Sequence, residues 1–140
     1  MSTGTLSTDR DGQLKCVVVT PEKTLFDEMV EFVALPVFDG ELGVMPGRTP
    51  VIARLGYGEL RTRVGTTIHR YFVDGGFAQI RDNVVTVLTG RAIPAGQLST
   101  SAATAELAQA QARKATTDAQ QAEKTKAIDR ARALLRVASH

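Results

Sequence analysis

Hydrophobic and polar residues alternate with a period of two through much of the first part of the chain, which is the pattern of half-buried β-strands. In Gly58 to Val64, the even-numbered side chains can face a core while the three charged ones at odd positions face water. Such runs are separated by Gly, Pro, Asp and Asn, the residues that favour turns. They predict strands at Leu14 to Thr20, Met29 to Val37, Gly58 to Val64, Ile68 to Val73, Phe77 to Ile80 and Val84 to Leu88.

These strands are short and closely spaced, with no helical pattern between them. Gly65-Thr66 can close one hairpin and Asp82-Asn83 a second. Short strands that recur about every 8 to 12 residues are typical of sandwiches and barrels. The first part of the chain is therefore predicted to be an all-β sandwich or barrel, and the sandwich is the form we adopt.

The pattern changes near Ala95-Gly96-Gln97. All 12 Gly, all 5 Pro, the five Phe and the two Tyr precede Leu98, and the remaining 43 residues contain 13 Ala together with Gln, Glu, Lys, Arg and Leu. Those residues have high helix propensity, so the tail is predicted to be helical and the whole chain to be α+β. The predicted division is a polar extension over residues 1–13, a sandwich over 14–97 and an Ala-rich two-helix tail over 98–140.

Two arrangements of the tail remain open. Ile128, Ala131, Leu135 and Ala138 form a narrow apolar stripe, and a helical hairpin could turn around Thr116 to Gln121. That turn lacks Gly and Pro, so one continuous helix about 60 Å long is the alternative. Because either form buries little apolar surface, we expect the tail to dock conditionally and to be mobile.

Composition and charge exclude several classes of protein. Seventeen basic and 15 acidic residues give a net charge of +2 and a pI near 8.9, a balance that argues against a nucleic-acid partner. One Cys and two His are too few for a typical zinc site, so no metal is expected. No apolar run approaches the ~20 residues that cross a bilayer, and residues 1–12 lack the apolar core of a signal peptide.

The sequence contains no recognisable set of catalytic residues. There is no phosphate-binding P-loop, and Gly56-Tyr57-Gly58 lacks the third glycine of a dinucleotide fingerprint. His69 is predicted to be a structural strand residue and Cys16 an inert buried thiol. Asp74-Gly75-Gly76 is interpreted as a tight turn. We therefore predict no catalytic residues and no cofactor.

Phe38 to Pro50 is the most specific segment of the sequence. It contains three Gly, two Pro and three charged residues, which predicts a structured double turn rather than a plain strand. A rigid loop of this kind could present Glu41 and Arg48 to a partner.

From Gly40 to Pro50 the chain resembles the G-E-L-G-[IV]-x-P-G-H-x-P signature of the epsilon subunit of F-type ATP synthases. The resemblance continues at Leu25-Phe26, Val73 to Phe77 and Asn83 to Leu88. The tail resembles that of the family only in its composition and in its place after the sandwich. It implies a sandwich followed by a helical hairpin, in a non-catalytic rotor subunit on the cytoplasmic face of a bacterial plasma membrane. Arg48 departs from the histidine of the signature.

The same resemblance implies the partners. The sandwich would bind the gamma subunit and the c-ring, so that the chain meets the membrane only indirectly and couples ion flow to ATP synthesis. Loop contacts would come from Gly40, Glu41, Leu42, Gly43, Pro46, Gly47 and Arg48. The tail, with seven basic and four acidic residues, would reach the catalytic alpha and beta subunits and inhibit ATP hydrolysis. Its contacts would be Arg113, Lys114, Arg130, Arg132 and Arg136.

Some family members bind ATP through an [IL]-D-x-x-R-A motif, which aligns with Leu98 to Ala103. Here Ser99 and Ala102 replace the Asp and the Arg, so ATP binding is expected to be weak or absent. Two other classes stay open: a free-standing β-sandwich adaptor with a helical interaction tail, and an enzyme whose active site the sequence does not reveal.

Overall fold

The computed structural model describes residues 12–140, so most of the predicted N-terminal extension lies outside the described residues. Within that range the chain forms eight strands, then a short 3₁₀ turn and two α-helices. The strands are β1 (Leu14–Val19), β2 (Thr24–Val30), β3 (Phe32–Val37), β4 (Gly40–Val44), β5 (Val51–Val64), β6 (Thr67–Arg81), β7 (Val84–Leu88) and β8 (Ala92–Pro94). The helices are α1 (Thr100–Ala112) and α2 (Asp118–Ser139), which confirms the predicted fold class.

The strands are hydrogen-bonded in the order β2-β1-β7-β6-β5-β3-β4, and β8 pairs with β6. The long β5–β6 hairpin belongs to both layers of the sandwich. At its open end, near Val51 and Ile80, strand β6 pairs with β7, and the sheet extends from there to β1 and β2. At its closed end, near Thr62 and His69, strand β5 pairs with β3, and the sheet extends from there to β4. Strand β1 pairs with β7 in parallel, whereas the other paired strands are antiparallel.

The alternation of buried and exposed residues inverts in the middle of this hairpin. In β5 both Leu55 and Gly58, three residues later, are buried, and in β6 the core residues Val73 and Ala78 differ in parity. The inversion lies at Gly75 and Gly76, whose φ angles of 69° and 103° are open to glycine but strained for other residues. The interpretation of Asp74-Gly75-Gly76 as a turn is wrong, because the three residues lie inside β6.

Three other local predictions need correction. Gly40–Val44, interpreted as part of a double turn, is a strand, and the predicted strand Met29 to Val37 is divided between β2 and β3. Strand β5 begins at Val51 rather than Gly58. Glycine-rich β4 is held by pairing with β3, where Gly43 lies against the Phe32 ring: a Cβ there would be 3.2 Å from its Cε1. Local turn propensity is thus overridden by the neighbouring strand.

The core between the two layers is almost entirely aliphatic, and its largest fully buried members include Leu14, Leu35, Leu60 and Ile80. Thr62 also faces this core, as predicted, and it is 1% exposed. Its hydroxyl has no hydrogen-bond partner within residues 12–140. A buried hydroxyl without a partner has lost its hydration without compensation.

Replacing Thr62 with valine is therefore expected to raise the free energy of unfolding by about 1 kcal/mol. Thr89 is the matched control because it is also buried, yet its Oγ1 accepts from the Asp74 amide at 3.2 Å and donates to the Arg91 carbonyl at 3.3 Å. Thr89→Val should lower stability by a similar amount. Urea unfolding of both variants measures the difference, and a loss of stability in Thr62→Val would contradict the expectation.

The tail forms two helices, not one. Ser99 caps α1 by accepting from the Ala102 amide, and Thr117 and Gln120 form a reciprocal capping box at the start of α2. Arg113 ends α1 with an extended backbone. The break between the helices needs neither Gly nor Pro because the Thr117 side chain satisfies one of the free amides that begin α2.

Candidate functional site: two sheet faces and a docked tail

The signature segment lies in two places rather than in one loop. A two-residue turn, Phe38-Asp39, joins β3 to β4, while residues 45–50 lead from the far end of β4 into β5. Five residues of strand separate them by about 15 Å. The 45–50 loop is fastened to the β6–β7 turn, because the Gly47 amide donates to Asn83 Oδ1 at 2.8 Å. Asp82 and Asn83 form that turn with φ of 53° and 61°, as the sequence predicts.

Glu41 does not extend freely from this segment. Its two carboxylate oxygens accept from Arg61 Nη1 and Nη2 at 2.8 and 2.9 Å, a bidentate pair. That hydrogen bonding raises the pKa of Arg61 above its ordinary value, with partial burial opposing it. Arg61 also contacts Glu59, at 3.2 Å. Among the signature residues, Arg48 and Gly47 are exposed, whereas Leu42 and Pro46 are half-buried.

One layer of the sandwich contains β2, β1, β7 and the adjoining ends of β6 and β5, and its outer face carries exposed apolar side chains. We call Ile52, Phe77 and Leu88 the apolar face. They are 72%, 54% and 52% exposed. Phe77 pairs with Leu88 on one side and with Arg54 on the other, and Ile52 lies two residues before Arg54. Large apolar residues clustered on an exposed sheet face are typical of protein interfaces. Sequence reasoning missed this cluster because it treated Phe77 simply as part of a strand.

The other layer contains β3, β4 and the closed end of the β5–β6 hairpin, and its outer face is covered by the helical tail. Phe72 lies at the centre of a second hydrophobic cluster with Ala133, Leu134 and Val137 of α2 and Ala103 of α1. Of the predicted stripe on α2 only Ala131 is fully buried; Ile128, Leu135 and Ala138 are half-buried. The docked face is therefore rotated from the predicted one.

Polar contacts accompany the docked tail. Arg130 Nε donates to Asp74 Oδ1 at 2.9 Å, and its guanidinium lies 5.3 Å from the centre of the Tyr57 ring. Burial lowers the pKa of Arg130, but the hydrogen bond and charge of Asp74 outweigh it and raise the pKa overall. Arg70 Nη2 donates to the Val137 carbonyl at 3.0 Å, near the end of α2.

The five basic residues predicted to contact the catalytic subunits thus fall into two groups. Arg130 is paired with Asp74 while the tail is docked, and only 34% of its side chain is exposed. The other four are exposed on the helices or on the segment between them: Arg113, Lys114, Arg132 and Arg136.

The residues weighed for catalysis are not brought together. Cys16 is fully buried, and burial, with the nearby charges of Asp27 and Glu28, raises the pKa of its thiol to about 12. His69 is exposed on β6. Across residues 12–140 no group of three or more His, Cys, Asp or Glu side chains could hold a metal ion. In the same range neither helix is long and apolar enough to cross a bilayer.

Ser99 and Ala102, the positions aligned with the ATP motif, lie in the first turn of α1, where Ser99 serves as the N-cap. Neither side chain carries a charge that could pair with a phosphate. Weak or absent ATP binding stays a prediction.

Residues 13–95 match the sequence model of the β-sandwich domain of the ATP synthase delta/epsilon chain. The ATP synthase epsilon chain of Rhodopirellula baltica is 55% identical over 123 residues, covering 88% of this chain and 96% of the relative. That of Syntrophobacter fumaroxidans is 38% identical, covering 75% and 78%.

Two solved assemblies contain chains of similar fold. One is the Euglena gracilis mitochondrial ATP synthase, OSCP/F1/c-ring, with a TM-score of 0.81, 23% identity and coverage of 92% of this chain and 82% of the other. The second is the central stalk and c-ring of the Tetrahymena thermophila mitochondrial ATP synthase, with a TM-score of 0.71, 13% identity and coverage of 89% and 96%. At these identities the likeness establishes the fold.

Proposed function

This chain belongs to the ATP synthase delta/epsilon family, and on that premise we propose that it is a rotor subunit that couples ion flow through the c-ring to ATP synthesis and restrains ATP hydrolysis through its tail. It is a non-catalytic, accessory chain of that complex. Its proposed place is the cytoplasmic face of a bacterial plasma membrane. The observation that carries the proposal is the 55% identity over 123 residues, a length that must extend beyond the sandwich into the tail.

We assign the gamma subunit to the apolar face. Ile52, Phe77 and Leu88 are more than half exposed, and no element within residues 12–140 covers them. The helices occupy the opposite outer face, so the apolar face is open while the tail is docked. Burying three such side chains against a partner would remove a large apolar area from water.

The c-ring contact is assigned to the end of the sandwich where the 45–50 loop meets the β6–β7 turn. The loop is exposed but fastened by the Gly47–Asn83 hydrogen bond, which keeps it in one conformation when a partner arrives. Arg48 supplies a permanent positive charge there. Glu41 would contribute through its pair with Arg61 rather than as a free carboxylate.

The braking role is assigned to the tail because it is a separate element held by a limited contact. Only two residues of α1 and four of α2 are buried, and most of these are alanines. Its net charge of +3 would favour an acidic surface on the catalytic subunits. An element with so small an interface can leave the sandwich and bind elsewhere.

Deleting the chain after Gln97 tests this role. We expect the truncated chain to assemble with gamma and the c-ring, because the sandwich core does not include the tail. ATP hydrolysis by the complex should rise about fivefold or more, the size of a typical coupling between two states. An unchanged rate in a normally assembled complex would exclude the brake. A variant with Lys114, Arg132 and Arg136 changed to Gln keeps the helices and separates the effect of charge from that of bulk.

A further inference from the structure

We propose that Asp74 is the latch that holds both helices of the tail on the sandwich. Its carboxylate pairs with Arg130 of α2 and with Arg91 of the β7–β8 connection, and Arg91 in turn reaches Glu106 of α1. Asp74 thereby connects to α2 directly and to α1 through Arg91. The inference concerns what sets the resting position of the tail, and its link to inhibition rests on the proposed function.

The position of Asp74 is fixed before the helices arrive. It lies in β6 opposite Tyr57, and its backbone amide donates to the Arg91 carbonyl at 3.0 Å and to Thr89 Oγ1 at 3.2 Å. With the tail docked, the Asp74 side chain is 16% exposed, so its pair with Arg130 is partly shielded from water. Such a pair, made by a carboxylate whose backbone is already held, gains more than one between groups that are free in water.

The two carboxylate oxygens are divided between the two arginines. Oδ1 accepts from Arg130 Nε at 2.9 Å, while Oδ2 lies 3.7 Å from Arg91 Nε. Arg91 Nη2 is 4.0 Å from Glu106 Oε2, and Arg91 also lies over the Phe72 ring at 5.5 Å. The Arg91 guanidinium thus joins the ion pairs to the hydrophobic cluster under the tail.

The latch matters because the apolar contact beneath the tail is small. Alanine side chains make up most of the buried residues of both helices, with Leu134 and Val137 as the larger members. Small side chains remove little area from water, so a half-buried, charge-assisted contact contributes a large share of the docking free energy. When Asp74 loses its charge, α2 loses its ion pair with the centre of β6, and Arg91, which faces Glu106 of α1, loses the carboxylate that positions it.

A second polar contact between the sandwich and the tail involves only one helix. Arg70, oriented by Glu59 at 2.6 Å, donates to the Val137 carbonyl, so it secures the last turn of α2 and no part of α1. Loss of Arg70 should therefore fray one helix end, whereas loss of the Asp74 carboxylate should release the whole tail.

The test uses the full chain with fluorophores on Thr66→Cys, in the β5–β6 turn, and His140→Cys, which lies beside Glu59 and Arg61 when the tail is docked. Cys16 is buried and does not compete for the dyes.

Asp74→Asn keeps the shape of the side chain and removes its charge. We expect the fraction of undocked molecules, seen as low energy transfer, to rise about tenfold. Arg130→Gln, which leaves the sandwich untouched, should have a smaller effect, and the double variant should not exceed Asp74→Asn.

Asp27→Asn is the matched control, because it makes the same substitution in an ion pair, with Lys15 at 3.5 Å, that lies wholly within the sandwich. It should leave energy transfer unchanged. If Asp74→Asn and Arg130→Gln both retain the energy transfer of the parent chain, Asp74 is not the latch. In the assembled complex, an open tail in Asp74→Asn should deepen inhibition of ATP hydrolysis. If the tail opens but hydrolysis is unaltered, the latch stands and the proposed brake fails.

Discussion

Changing Gly76 to alanine is expected to lower the free energy of unfolding by about 3 to 5 kcal/mol, enough to leave much of the protein unfolded. Two costs act together at this position. The backbone has φ of 103°, and a Cβ placed there would lie 1.9 Å from the Leu88 carbonyl oxygen. That oxygen belongs to the backbone of β7, so no side-chain rotation can relieve the overlap.

Gly65 and Gly75 provide graded controls. Gly65 has φ of 59°, and no atom lies within 4 Å of the place that an alanine methyl would take. Gly65→Ala should therefore lower the free energy of unfolding only through backbone strain, by about 1 kcal/mol. Gly75 has φ of 69°, and a methyl there would make an ordinary 3.7 Å contact with Tyr57, so its variant should resemble that of Gly65. Urea unfolding followed by circular dichroism compares the three. A Gly76→Ala variant as stable as Gly65→Ala would show that β7 can move away at little cost.

Placing a charge on the apolar face, as in Phe77→Glu, is expected to weaken binding to the gamma subunit by about a hundredfold or more. The variant removes a central aromatic contact and forces a carboxylate into an interface that would otherwise be dry. Phe77 is 54% exposed and outside both hydrophobic clusters, so the fold itself should be unaffected. Titration calorimetry with purified gamma subunit gives the dissociation constant.

Thr67→Glu serves as the control for this variant. It adds the same charge to the same strand, at an exposed position next to the β5–β6 turn and far from Phe77. Its affinity for gamma should equal that of the parent chain. Wild-type affinity in Phe77→Glu, with the fold intact, would place the gamma contact on another face and remove the basis for assigning the apolar face.

The sequence predicts the parts of the sandwich that depend on local pattern. The burial of Thr62 in the core and the turn at Asp82-Asn83 are both confirmed, because alternation and turn chemistry act over a few residues. The inversion of alternation at Gly75-Gly76 could not be predicted in this way. Two adjacent glycines indicate a turn by local rules, and only the pairing of β6 with β5 and β7 shows that the strand continues.

The candidate interaction residues are predicted less well, for a different reason. Glu41 and Arg61 are 20 positions apart, and Arg130 and Asp74 are 56 apart, so no local pattern reveals that they pair. The docked face of α2 also differs from the predicted stripe, because contact with Phe72 buries Ala133, Leu134 and Val137 instead of Ile128 and Leu135. The resemblance to the epsilon family supplies the order of sandwich and hairpin, but not these contacts.

The parallel pairing of β1 with β7 sets the order in which the molecule can assemble. Lys15 pairs with Val84 and Val19 with Leu88, so the first strand has no partner on that side until nearly seventy further residues are available. Contacts so distant along the chain must bear a large loop-closure entropy and slow the folding of β-rich domains. The two helices, whose mutual contacts are local, can form within microseconds but have no surface to dock on until then. We therefore expect closure of the sandwich by β1 and β7 to be the slow event of folding, with docking of the tail after it.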